Sequence, residues 1–266
     1  MNVGLIGYKY LFLALGAVIS ISGIAGIFII KDSEKLVKSG TLRDMIYGFK
    51  PSTVKAHLPL YICLLILAVY GIACQIFMPY LIIYMKAYLG FSVVEYSVIF
   101  GLAIALGAAV NVLLGRLSDK MDKVKSIYIA TAVFAIGLFA MFLAKDMTHT
   151  ANLILFGIAG FVMICGYIYI SALSGALVRD YTPEESAGKL QGVRMIFAVL
   201  IPMLLGPAIG NAINSAANIP LPDAGADAMT TSFIPAPGIF LAAAAVALII
   251  FALVPWLNKK VAKKEN

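Results

Sequence analysis

Gly115-Arg116-Leu117-Ser118-Asp119-Lys120-Met121-Asp122-Lys123-Val124-Lys125 is a short charged turn between two long apolar runs. The run before it, 93–114, carries one charge, Glu95, near its far end, and the run after it, 127–144, carries none. So short a connector makes the flanking segments antiparallel neighbours. Its basic residues, Arg116, Lys120, Lys123 and Lys125, mark the side of a membrane on which the turn lies.

Composition agrees with a membrane reading. The chain has 266 residues, of which 62% are hydrophobic and 12% charged, and its mean hydropathy is +0.98. A soluble domain has no polar shell large enough to cover that much apolar surface. The net charge of +7 fits basic residues gathered in cytoplasmic loops and not a nucleic-acid partner. Cys63, Cys74 and Cys165 each lie inside an apolar run, without a Cys-x-x-Cys spacing. They read as small packing residues and not as a disulfide or metal framework.

An α-helical span needs about 20 mostly apolar residues. Seven stretches qualify: 10–30, 60–85, 93–114, 127–144, 151–178, 195–213 and 237–257. The runs are continuous, which excludes the alternation of outer-membrane strands. The predicted fold is all-α and integral to the membrane. With the turn at 115–126 in the cytoplasm, all basic residues but Lys9, Lys86 and Lys145 fall on the cytoplasmic side. That bias predicts an outside N-terminus and a cytoplasmic C-terminus in the plasma (inner) membrane.

The chain then divides into a first helix (1–30), a basic cytoplasmic connector (31–59), a six-helix bundle (60–257) and a basic cytoplasmic tail (258–266). Within the connector, 41–49 reads either as a short surface helix or as a solvated tether. The loop 214–236 is expected to be irregular, with Pro220, Pro222, Gly225 and Pro235 in it. Ser92 with Glu95 predicts a capping box on the third span, and Thr182 with Glu185 another on the sixth, Pro183 being its first residue. The sixth span carries Pro202 and Gly206-Pro207-Ala208-Ile209-Gly210. These point to a bend and to close helix approach, which is either plain packing or a bend that moves.

The turn resembles the loop signature of the major facilitator superfamily, roughly G-x-L-[AS]-D-[RK]-x-G-[RK]. Gly115, Leu117, Ser118, Asp119, Lys120 and Lys123 match, and Asp122 replaces the usual glycine. That departure is typical of the weaker copy between helices 8 and 9. In this register the spans correspond to helices 6 to 12, the last six forming one six-helix half. The resemblance implies secondary active transport of a small solute by alternating access, with a coupling ion as a possible second partner and the lipid bilayer as surroundings. No catalytic residue, metal or cofactor is expected. It also implies that five helices are missing before Met1, so that the chain would be an incomplete transporter in need of an N-terminal half.

By the same resemblance the second, third, fifth and sixth spans line the cavity. The polar residues near their middles include Tyr70, Gln75, Tyr167, Tyr169 and Ser171. Tyr70, Gln75, Tyr167 and Ser171 are the expected substrate-binding residues; the alternative for each is an interhelical hydrogen bond. The expected gate comprises Gly115, Arg116, Asp119, Lys120, Asp180 and Arg194. Asp119 would face a helix N-terminus, and Lys120 or Arg116 would pair with Asp180. The alternative is a solvated turn that only sets topology. Glu95 reads as a helix-start residue before a proton carrier.

Seven spans also suit a heptahelical receptor or photoreceptor. However, the seventh span holds no lysine for retinal, and the receptor signatures are absent. A membrane-embedded enzyme is disfavoured too: His57 and His149 lie in loops, with no H-E-x-x-H and no paired intramembrane aspartates.

Overall fold

The structure is a computed structural model that describes residues 3–29, 47–118, 123–145, 147–220 and 233–265. The chain forms two compact units, Met1–Thr41 and Leu42–Asn266. The first contains α1 (Val3–Ile29), 27 residues without an acidic first turn or a basic last turn. At about 1.5 Å per residue it is long enough to cross a bilayer.

The second unit begins with a 3-10 turn, Tyr47–Phe49, and a short helix α2 (Pro51–Ala56). Of the connector segment 41–49, only this turn lies within the described residues. The long helices follow: α3 (Leu58–Phe77), α4 (Val93–Ser118), α5 (Lys123–Leu143), α6 (His149–Asp180), α7 (Ala187–Met195), α8 (Ile201–Ala217) and α9 (Gly238–Glu265). Seven spans among the described residues are long and apolar enough to cross a membrane. α9 runs through the segment read as a tail.

Two spans are broken where proline removes a backbone donor. After α3 the chain passes Pro79 in a 3-10 turn, Met78–Tyr80, then a single α turn and a π turn, Tyr84–Tyr88. Gly90, at φ 70°, ends that span in the left-handed conformation glycine adopts freely. Between α7 and α8 lies a second π turn, Ile196–Leu200, directly before Pro202. A proline at that point cannot donate to the preceding turn, and the wider helix absorbs the defect. The sixth span is therefore one path, Ala187–Ala217, with a local widening where a bend was expected.

The packing pattern is reciprocal. α3 packs on α8 and α9, α6 packs on α4 and α5, α5 meets α9, and α3 crosses α6. Exchanging α3, α4 and α5 for α6, α8 and α9 returns the same set of contacts. Inverted three-helix repeats produce this arrangement.

Small residues set the closest crossings. A Cβ at Gly137 of α5 would collide with the Met163 backbone, and one at Gly166 of α6 with the Phe134 backbone. Gly206 of α8 lies against Gln75, and Gly210 against the Ile76 carbonyl. In a bilayer, where water does not drive helices together, such close contact supplies the dispersion energy of association. The described part of the 214–236 loop is tied at its base. Asn218 takes a left-handed C-cap (φ 48°), Ile234 N–H donates to the Ile219 carbonyl (3.0 Å), and Ala236 N–H donates to Asn214 Oδ1 (2.9 Å).

Candidate functional site

α3 and α6 cross through a polar seam. Tyr70, 6% exposed, donates its hydroxyl to the Tyr167 carbonyl at 3.1 Å. The two rings lie 5.7 Å apart, and the Phe134 ring meets Tyr70 edge-on at 6.0 Å. The Ser171 hydroxyl and the Cys74 thiol are side-chain neighbours of the same hydroxyl. Tyr70, Tyr167 and Ser171 are thus brought together, one turn of α6 separating the last two. Gln75 is placed elsewhere. Its Cβ rests against Gly206, at the α3–α8 crossing. Tyr169 is buried in the apolar core.

Below the seam the bundle opens into a cavity of about 930 Å³. The amino end of α3 supplies Leu60 and Leu64, and the carboxyl end of α6 supplies Ser171, Ala172, Gly175 and Ala176. The rim holds Arg179, Asp180 and Glu184, and α7 adds Gln191 and Arg194. Gln191 and Arg194 are three apart, so one face of α7 carries both. Ser171 alone belongs to both the seam and the cavity wall.

Asp180 is held by Lys123, at the first residue of α5, with Nζ and Oδ2 2.5 Å apart. Both side chains are partly exposed (45% and 39%). Among the described residues the cation on Asp180 is Lys123; the side chains of the expected partners, Lys120 and Arg116, lie outside those residues and are not compared with it. A residue at the start of α5 already stands beside the end of α6, because those two helices pack along their length. Asp119 and Lys120 lie outside the described residues, as does the Arg116 side chain. Gly115 sits in the last turns of α4 with open space beside it. Arg194 is on the cavity wall and takes no ion pair among the described residues.

The two capping boxes have different outcomes. Ser92 N–H donates to Glu95 Oε2 at 2.7 Å, and Glu95 N–H donates to Ser92 Oγ at 3.3 Å, which is the reciprocal pair expected. Glu95 Oε1 also meets His149 Nε2 at 2.9 Å, so its carboxylate links the starts of α4 and α6. At the sixth span the Glu185 side chain lies outside the described residues, and only the Thr182 side of the box can be followed. The Thr182 hydroxyl donates to the Val178 carbonyl at 2.5 Å, satisfying an orphan acceptor at the end of α6. Pro183 is extended (ψ 133°), a 3-10 turn Glu184–Ser186 follows, and α7 starts only at Ala187.

Two residues escaped the sequence reading. Asn111 donates to the Gly107 carbonyl (2.8 Å) within α4 and to the Cys165 carbonyl (3.4 Å) of α6. It is the only amide in that span, and the argument that singled out Gln75 would have found it. Lys123 was visible as a motif residue, but its partner depended on the tertiary fold. All three cysteines are free and buried.

A family model described as Major Facilitator Superfamily matches residues 3–207 and, in a second placement, residues 63–266. No curated protein matches the chain, and no solved structure does.

Proposed function

We infer what this chain does from the family to which it belongs, the major facilitator superfamily. It is a multi-pass membrane transporter. The finer reading is secondary active transport of a small solute by alternating access, and one observation carries it. A cavity of about 930 Å³, polar at its rim, sits between α3, α6 and α7 of an otherwise close-packed bundle. The seam at Tyr70, Tyr167 and Ser171 closes its inner limit, and a solute hydroxyl or carbonyl there replaces the Tyr70 contact. The Lys123–Asp180 pair, with Arg194 opposite, forms the gate at the mouth. Asp119 belongs to the same gate by its place in the family motif.

By the distribution of Lys and Arg, the mouth faces the cytoplasm of a plasma (inner) membrane and the N-terminus lies outside. The reading takes the chain as a first helix (1–30), a connector (31–59), a six-helix bundle (60–257) and a basic end (258–266). The six spans from α3 to α9 supply one half of the family fold, and translocation takes a second half.

The test uses Ala172→Cys on the cavity wall, read with a membrane-impermeant thiol reagent. The native cysteines are buried, so the new thiol dominates labelling. In inside-out membranes it is expected to label, and transported solute protects it. Labelling from the outer side only would overturn the orientation. Labelling unchanged by every solute tried would overturn alternating access. The purified full chain is expected to insert into vesicles and not to translocate alone; flux through it alone would refute the two-half reading.

A further inference from the structure

The cavity carries a charge imbalance beyond the Lys123–Asp180 pair of the gate. Of its rim acids, Asp180 is neutralised by Lys123 at 2.5 Å. Arg179 and Arg194 carry no ion pair among the described residues, and the remaining acid on the wall is Glu184. Among the described residues the wall thus keeps two guanidinium groups, Arg179 and Arg194, against the carboxylate of Glu184. α7 adds to this. Its N-cap residue, Ser186, makes no side-chain capping bond, and Ala187 at its start lines the cavity. The positive end of that helix is turned to the same space.

The opposite wall is apolar. Leu60 and Leu64 of α3 and Ala172 and Ala176 of α6 face the cavity. A ligand that satisfies both walls has an apolar body and an anionic head. A guanidinium matches a carboxylate with two parallel hydrogen bonds, whereas an ammonium would meet like charge.

We propose that this cavity binds an amphipathic organic carboxylate. Arg179 and Arg194 hold its head, Gln191 and Ser171 supply further hydrogen bonds, and the leucine and alanine wall takes its body. The Lys123–Asp180 pair sets the specificity: it withdraws the carboxylate that would otherwise occupy the arginines. The proposal rests on the transport reading for the purpose of the bound anion, and on the cavity alone for its binding. The head and body contacts proposed all come from this chain, so binding is tested on it alone.

The experiment is a binding titration on the purified full chain in nanodiscs of neutral lipid. The probes are benzoate and hexanoate, each paired with its neutral amide, benzamide and hexanamide, and hexylammonium serves as the cation. The carboxylates are expected to bind at least tenfold more tightly than the amides, and hexylammonium not at all. Arg194→Gln and Arg179→Gln should each weaken the carboxylates about tenfold, the loss of one charge-assisted contact, and leave the amides unchanged. Arg194→Lys and Arg179→Lys keep the charge without the fork, and should show a smaller loss in a protein that folds as the parent does.

Equal affinity for acid and amide, preferred binding of hexylammonium, or carboxylate binding untouched in the double glutamine variant would each overturn the proposal. So would the absence of binding by both acids. Uptake in vesicles supplied with a complementary half is read separately. Binding without uptake sustains the site and defeats the transport reading. Uptake of the cation without acid binding sustains transport and defeats the site.

Discussion

α6 passes from a filled end of the bundle to a hollow one. Near its start, Phe156 lies between Tyr84 and Phe240, with ring centroids 5.9 Å from each. Phe77 joins the cluster through Phe240 at 5.9 Å, and the Tyr84 hydroxyl donates to the Ala144 carbonyl at 3.3 Å. All four rings are fully buried. At the other end of α6, walls from α3, α6 and α7 part around about 930 Å³ of space. Aromatic rings at 5–6 Å hold that spacing through many dispersion contacts and edge-to-face alignment. Charged rim residues offer only screened, exposed pairs. One end is thus held by close packing and the other by exposed pairs, the division of labour that the proposed gate requires.

Substitutions at the two ends should therefore differ in kind. The largest effect is expected from Phe240→Ala, which empties the centre of the aromatic cluster. A loss of about 3–5 kcal/mol is expected, read as a collapse of the monodisperse peak on size-exclusion chromatography. Gly166→Val comes next. Its Cβ would strike the Phe134 backbone, which cannot rotate away, and about 3 kcal/mol of destabilisation should follow. Tyr70→Phe removes a single hydrogen bond at the boundary between the two ends, worth about 1 kcal/mol. Its thermal shift should be small, while solute protection at position 172 is lost.

Asp180→Asn acts at the hollow end. Its pair is partly exposed, so stability should change by less than about 1 kcal/mol, with faster thiol labelling in the cavity as the measurable outcome. The smallest effect is expected for His149→Gln. The Ser92–Glu95 box is complete without it, and unfolding should move within about 0.5 kcal/mol. If Asp180→Asn proved as damaging as Phe240→Ala, the contrast between the ends would fail.

The spans were legible because bilayer thickness imposes a length on an apolar run, and that length survives without tertiary information. The Ser92–Glu95 box was legible for a similar reason, since both partners lie within one turn. The Thr182 box shows the limit of local reading. The motif was present, but the Thr182 hydroxyl turns back to donate to the Val178 carbonyl of α6, and the next α-helix starts only at Ala187. The π turns were not legible: proline signals a defect, and packing decides whether the helix kinks or widens.

Among the expected binding residues, Tyr70, Tyr167 and Ser171 converge because α3 crosses α6. Gln75 lies on the next face of α3 and meets α8. Helices apolar on all sides give no stripe from which to read that rotation. The partner of Asp180 was hidden too, since it depends on which residue of the turn begins α5.

The reciprocal packing has a consequence for how the protein is made. α9 is synthesised after the helices it packs on, α3, the first of the bundle, and α5. Neither three-helix set holds its own partners, because α3 needs α8 and α9 while α6 needs α4 and α5. Helices that insert one at a time therefore pair only in part until α9 arrives. Only the arrival of Ile239, Phe240, Ala243 and Ala247, all buried, closes the core. Biosynthesis of this transporter has a late commitment point, and a ribosome that stops after α8 leaves α3 to α8 paired around a core that lacks its closing helix.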